Sequence, residues 1–258
     1  MTQVKKFWPL LTGMHRYDKS VSTRHRNEGV MIDAPILAYL IETANGRILY
    51  DVGCDYSKLA DPARRERFYG GLSFDPPVMR AEDRLPSRLA QLGLNPKDID
   101  VVFLGHLHFD HAGGLCEFSH ADLHVHEKEL EAAREPADEA YFGDDFKKVK
   151  NWRCACCDYD LAPGVRAIET PGHTAGHMSM LIELPRGKPI LLCGDAADLV
   201  ENLEEEIAPG LCYRDDETQA LASIQWLKQL AQQTGAELWP NHDLTFFQAH
   251  NIFPQAMS

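Results

Sequence analysis

The sequence predicts an α/β protein in which two β-sheets lie face to face between layers of helices, an αββα sandwich. Three observations carry this. Apolar, β-branched runs alternate with helical patterns in two successive halves of the chain. Each half contains a pair of strand-like runs close enough to form a hairpin, at residues 34–42 with 47–52 and at 178–184 with 189–193. The 258 residues suffice for one large α/β core, and no repeat, low-complexity tract or linker divides them, so residues 1–258 are expected to form a single domain.

The elements follow in order. Residues 4–11 read as a first strand, and 13–33 as a long polar loop, a length that in a compact domain marks function or mobility. Residues 34–42 form a strand, Asn45-Gly46 is a type I′ turn signal, and 47–52 is the returning strand. Residues 54–84 are an excursion rich in Pro and Gly that carries Phe68, Tyr69, Phe74 and Met79; it reads as a surface loop with a satellite apolar cluster, or as a lid or dimer contact. Residues 85–92 are an amphipathic helix stopped by Gly93, and Pro96-Lys97-Asp98 turns the chain into the strand 99–104. Residues 122–126 are a short strand, 127–134 a helix, and 136–153 a charged rim helix or loop. Residues 165–168 and 236–239 are strands, and 216–233 is a helix with Leu221, Ile224, Leu227 and Leu230 on its apolar face.

The strand 99–104 runs straight into His106-Leu107-His108-Phe109-Asp110-His111, followed by Ala112-Gly113-Gly114. Imidazole and carboxylate are the usual ligands of zinc and similar ions. His106 and His108, two residues apart in extended chain, point the same way and can grip one ion, while Asp110 and His111 are offset toward a second. Three further strand-like runs each end in a candidate ligand: His173 and His177 in Thr170-Pro171-Gly172-His173-Thr174-Ala175-Gly176-His177, Asp195 in Cys193-Gly194-Asp195, and His242 in Pro240-Asn241-His242-Asp243. His120, His124 and His126 form another cluster, read as surface groups or as supports of the ligands.

Composition narrows the partners. A formal net charge of −13 argues against nucleic acid and anionic membranes. No apolar run spans a bilayer, and residues 1–12 lack a signal-peptide core, so a cytoplasmic location is expected. Seven cysteines, three of them crowded at Cys154, Cys156 and Cys157, suit a reducing compartment better than a disulfide framework, and their spacing matches no common zinc motif.

These motifs resemble the metallo-β-lactamase superfamily, whose signature is His-x-His-x-Asp-His after a strand. The resemblance implies two mixed sheets flanked by helices and two divalent ions: His106, His108 and His173 on the first, Asp110, His111 and His242 on the second, and Asp195 bridging both. Zinc suits this set best, with iron, manganese or cobalt as alternatives. Leu37-Ala38-Tyr39-Leu40-Ile41-Glu42, Phe109 within the hexapeptide, Pro163-Gly164-Val165 and Asn241-His242-Asp243 are similar to the N-acyl-homoserine lactonases, over about residues 10–250. That likeness implies a hydrolase, a monomer or homodimer, that opens a small lactone by attack of a hydroxide held between the ions, with Asp110 as proton relay and Phe109 against the substrate. His177 and Asp243 are expected to orient the ligands. A pyridoxolactone-type lactone, an aryl ester or a phosphotriester is the alternative substrate. One departure stands out: the lactonases carry a substrate-binding tyrosine three residues after the bridging aspartate, and this chain has Asp198 there. Asp198 is expected either to face the substrate or to be a solvated loop residue, with Tyr213 as a substitute donor.

Overall fold

The computed structural model describes residues 2–134 and 138–258. The first sheet comprises β1 (Val4–Asp18), β2 (Met31–Thr43), β3 (Gly46–Tyr50), β4 (Val101–Phe103), β5 (Asp122–His126) and β6 (Trp152–Ala155), adjacent in that order. Strands β1 to β3 pair antiparallel and β3 to β6 parallel. The second sheet comprises β7 (Tyr159–Ala162), β8 (Val165–Glu169), β9 (Met178–Ile182), β10 (Ile190–Gly194) and β11 (Glu237–Pro240), in the spatial order β11-β10-β9-β8-β7. It is antiparallel except for the parallel pair β10 and β11. Both sheets are therefore mixed, as the resemblance implied.

The nine helices of the described residues are α1 (Tyr56–Ala60), α2 (Pro62–Tyr69), α3 (Leu85–Gln91), α4 (Phe109–Ala112), α5 (Glu127–Arg134), α6 (Gly143–Phe146), α7 (Val200–Glu205), α8 (Glu217–Thr234) and α9 (Leu244–His250). Between the sheets lies one apolar layer containing Phe7, Tyr39, Tyr50, Phe103, Met180, Leu192 and Trp239. The outer face of the first sheet is covered by Leu85 and Leu89 of α3 and by Leu115 and Phe118, and that of the second by Ile224 and Leu227 of α8. The short strands β4, β9 and β10 are buried almost throughout, which is why they read as continuous apolar runs rather than alternating ones.

Three local expectations are corrected. The first strand runs on to Asp18 and the second begins at Met31, so much of the expected loop 13–33 is a ladder in which Arg16 pairs with Asp33 across the strands. Its exposed polar residues carry no strand pattern of their own; the partner strand supplies the order. The hairpin turn is Ala44-Asn45, closed by Gly46, rather than a type I′ Asn-Gly pair. Gly46 has φ +139°, and a Cβ there would stand 2.5 Å from Asp100 Oδ2, whose carboxylate binds the Arg47 amide, so glycine is demanded by close approach. The rim segment expected over 136–153 begins outside the described residues at Pro136; within them it holds α6 and the start of β6. Strand β6 has two exposed residues out of four, too little burial to mark it in the sequence. The excursion 54–84 carries an apolar cluster of its own, as expected: Phe68 and Tyr69 of α2, Phe74 and Met79 pack with Phe109 and Phe142.

Candidate metal centre

Four chain crossings bring the expected ligands to one end of the sandwich. His106 follows β4, His173 follows β8, Asp195 follows β10 and His242 follows β11. After His108 the chain turns into the one-turn helix α4, which carries Asp110 and His111 inward while Phe109 faces a cavity. The seven side chains are all buried, Asp110 being the most open at 9%.

They divide into sets. His106, His108 and His173 present ligand atoms mutually within 4.8 Å, as do Asp110, His111 and His242. Asp195 reaches both: its Oδ2 is 3.5 Å from His173 Nε2 and 3.3 Å from His242 Nε2, and its Oδ1 is 3.3 Å from His111 Nε2. The imidazoles are oriented from behind. His111 Nδ1 donates to Asp51 Oδ2 at 2.7 Å, His242 Nδ1 to the Pro35 carbonyl at 2.9 Å, and His173 Nδ1 to the Leu211 carbonyl at 3.2 Å. Each bond leaves Nε2 as the lone-pair nitrogen aimed inward, the tautomer that a metal requires.

The residues fit a pair of ions. Both ring nitrogens of His106 and Nε2 of His111 are buried without a hydrogen-bond partner among the described residues, an arrangement that is costly unless a cation completes it. The electrostatics agree. Burial works against charge on Asp195, yet His111, His242 and His106 hold its carboxyl well below the usual range. Burial likewise disfavours charge on His242, yet Asp195 raises it to about 10, so the field of the carboxylates favours positive charge at this place. His173 is pushed down to about 4 and His177 to about 3, chiefly by burial.

The supporting residues differ from those expected. His177 stands behind the loop of Asp195: Nε2 accepts the Asp195 amide at 2.9 Å and Nδ1 donates to Thr170 Oγ1 at 2.8 Å. A Cβ on Gly194, at φ +54°, would lie 2.5 Å from that Nε2, so only glycine lets the bridging loop close on His177. Asp243 does not support a ligand. Its carboxylate caps α9 at the Phe246 amide and accepts the Val200 amide, because the chain has already turned away after His242. His124 bonds Tyr159 and His126 bonds Glu169, both away from the centre.

Four supports were not singled out in the sequence. Asp51, fully buried with φ +60°, holds His111 and accepts the Gly105 amide at 2.8 Å. Glu129 of α5 accepts the amides of Leu107 and Gly176, each at 3.0 Å, and the Tyr141 hydroxyl, tying the hexapeptide loop to the loop of His173. Asn241 donates to Asp195 Oδ1 at 3.0 Å. Asp138 Oδ2 sits 3.0 Å from His108 Nε2, leaving His108 Nδ1 to face His173 Nε2 at 3.1 Å. Asp51, in Asp51-Val52-Gly53 after the third strand, and Asn241, in Asn241-His242-Asp243, were the two that the sequence offered a signal for.

Asp51→Asn is expected to weaken metal binding about 10–100-fold with the fold intact, since asparagine tolerates the left-handed backbone but cannot hold His111 as a carboxylate does. Chelator competition measures this; an unchanged affinity would show that His111 is oriented without it.

The cavity over the centre encloses about 390 Å³. Its wall includes Phe109, Phe74, Leu72 and Met31, with Phe74 stacked on Phe109 at 5.3 Å, and its floor includes His108, Asp110, His173, Asp195 and His242. Asp198 is 4% exposed and lines this cavity, so it is not a solvated loop residue. Burial, then Asp195, pushes its carboxyl up to about 7. Tyr213 lies instead along a neighbouring cavity with Lys128 and Arg214, its amide bound to the Gly172 carbonyl. The phenol on the cavity over the centre is Tyr17, bonded to Ser22 Oγ at 2.9 Å.

The family model of the Metallo-beta-lactamase superfamily matches residues 31–242. An N-acyl homoserine lactonase of a Bacillus species is 33% identical over 255 residues, 98% of each chain, and the lactonase of Bacillus cereus is 32% identical over the same span. A relative of that name from Azorhizobium caulinodans is 31% identical over 85% of this chain and 86% of its own. A solved N-acyl homoserine lactone hydrolase, with the product N-hexanoyl-L-homoserine at its catalytic metal center, superposes with a TM-score of 0.89 at 31% identity over all of both chains. The chain belongs to the metallo-β-lactamase superfamily.

Proposed function

We propose that the protein is a metal-dependent lactonase that opens the ring of N-acyl-homoserine lactones, quenching the signals they carry. The observation that carries this reading is the position of the two ligand sets at the floor of a cavity with one apolar wall, in a chain whose relatives over 98% of its length are lactonases. The residues proposed to hold the ions are His106, His108 and His173 on one side, Asp110, His111 and His242 on the other, and Asp195 between, with zinc the favoured metal. When bound, such a pair lowers the pKa of a water to about 7 and polarises an ester carbonyl.

The chain's own residues do the rest. Asp195 and Asn241 fix the geometry between the two sets. Asp110, the most open of the seven, is placed to carry a proton to the ring oxygen as it leaves. Phe109, Phe74, Leu72 and Met31 receive the acyl chain. We place the enzyme in the cytosol as a single domain, monomeric or dimeric. No helix among the described residues is long and apolar enough to cross a membrane.

A hydrolysis panel tests the reading: homoserine lactones of increasing acyl length, other lactones, aryl esters and phosphotriesters, at matched metal content. Acyl-homoserine lactones should rank first. A preference for aryl esters or phosphotriesters would overturn the assignment. Phe109→Ala should lower kcat/KM for long-chain substrates about 10–100-fold, and much less for short ones, because the lost ring is worth about 1.5–3 kcal/mol of apolar contact. An equal loss at every chain length would place the acyl group elsewhere.

A further inference from the structure

Asp198 is a buried carboxylate that neither the ligand sets nor the acyl wall employs. Its Oδ1 is buried with no hydrogen-bond partner among the described residues. One of its oxygens lies within 4.8 Å of ligand atoms of both Asp195 and His242, which themselves fall within that distance of each other. The backbone holds it there: the His242 amide donates to the Asp198 carbonyl at 2.8 Å, and the Asn241 amide to the Ala197 carbonyl at 3.3 Å. The loop after β10 is thus strapped to the loop after β11, which fixes the Asp198 backbone beside His242.

We propose that Asp198 is a further carboxylate ligand of the second ion, on the side of His242. The inference rests on the reading that the centre holds two ions. With it the two positions differ in chemistry. The first is met by three imidazoles and the shared Asp195, a zinc-like set. The second is met by His111, His242 and three carboxylates, Asp110, Asp195 and Asp198. An oxygen-rich set suits harder ions, so the second position discriminates less against manganous or ferrous ion relative to zinc than the first does. An aspartate that only shaped the cavity would need neither an unpaired buried oxygen nor a strap to His242.

The experiment loads metal-free protein with Zn²⁺, Mn²⁺ or Co²⁺ and measures stoichiometry by elemental analysis and the affinity of each ion by chelator competition. The Co²⁺ absorption spectrum reports coordination directly. The wild type should bind two ions, with Mn²⁺ competing better at the second position than at the first. Asp198→Asn should keep the first ion at wild-type affinity, bind the second more than about 100-fold more weakly, beyond the usual loss of an outer partner, and alter the Co²⁺ spectrum. Asp198→Ala gives the same reading if the amide variant misfolds, with folding checked by thermal melting of both. A wild type that binds two ions beside variants with unchanged second-ion affinity and spectrum overturns this proposal alone, even if lactone hydrolysis falls. A wild type that binds fewer than two ions overturns the two-ion reading beneath it.

Discussion

Asp195→Ala is expected to reduce bound metal from about two ions per chain to one or fewer and to cut lactone hydrolysis by about 10³-fold or more, ~4 kcal/mol of transition-state stabilisation. Asp195 is the side chain that faces both ligand sets, with oxygens 3.3 Å from His111 and His242 and 3.5 Å from His173. Its amide is engaged by His177, its Oδ1 by Asn241, and the loop that carries it is locked between them. Without its charge, the imidazoles of His111 and His242 lose the partner that favours holding a cation there. Elemental analysis and initial rates on the purified variant decide the matter; two ions and a wild-type rate would refute the bridging role.

The second large effect lies outside the centre. Lys58 of α1 is 2% exposed and forms an ion pair with Asp145 of α6, with its ammonium 4.4 Å from the ring centroid of Phe68 and 5.1 Å from that of Phe142. Removing one partner of a buried pair leaves an uncompensated charge, so Lys58→Ala should destabilise the fold by about 3–5 kcal/mol. For a chain of this size that corresponds to a fall in Tm of roughly 10 °C. The combined change Lys58→Met with Asp145→Leu should recover most of the loss, since apolar packing often replaces a buried pair at little cost. A single-variant loss under about 1 kcal/mol in denaturant titration would show that the pair is hydrated. The same residues steady Phe142 and Tyr69, which pack on Phe109, so the single variant should also loosen the cavity wall.

The centre was legible because its chemistry is local. The hexapeptide at residues 106–111 carries four of the seven residues in one turn of chain, and the others each follow an apolar strand-like run. A strand end is where a loop can present a side chain without breaking a sheet, so the position of a ligand is written beside the strand that delivers it. The extended ladder of β1 and β2 shows the opposite case. Arg16 and Asp18, on either side of the buried Tyr17, are charged and exposed or half-buried, and nothing in this stretch says that Met31 to Asp33 will pair with it.

By itself, the sequence determined the αββα architecture and marked the seven side chains that the fold gathers at one end of the sandwich, with the apolar Phe109 beside them, since each depends on periodicity or on residues close together in the chain. Tertiary structure alone decided what stands behind and around those side chains. Asp51 reaches His111 across 60 residues, Glu129 reaches Gly176 across 47, and Asp198 joins His242 rather than solvent. Asp243, next to His242 in sequence, caps a helix instead. The physical reason is that hydrogen bonds are satisfied by whatever group the fold brings within about 3 Å, and that distance is set by the packing of two sheets, which no short stretch of sequence contains.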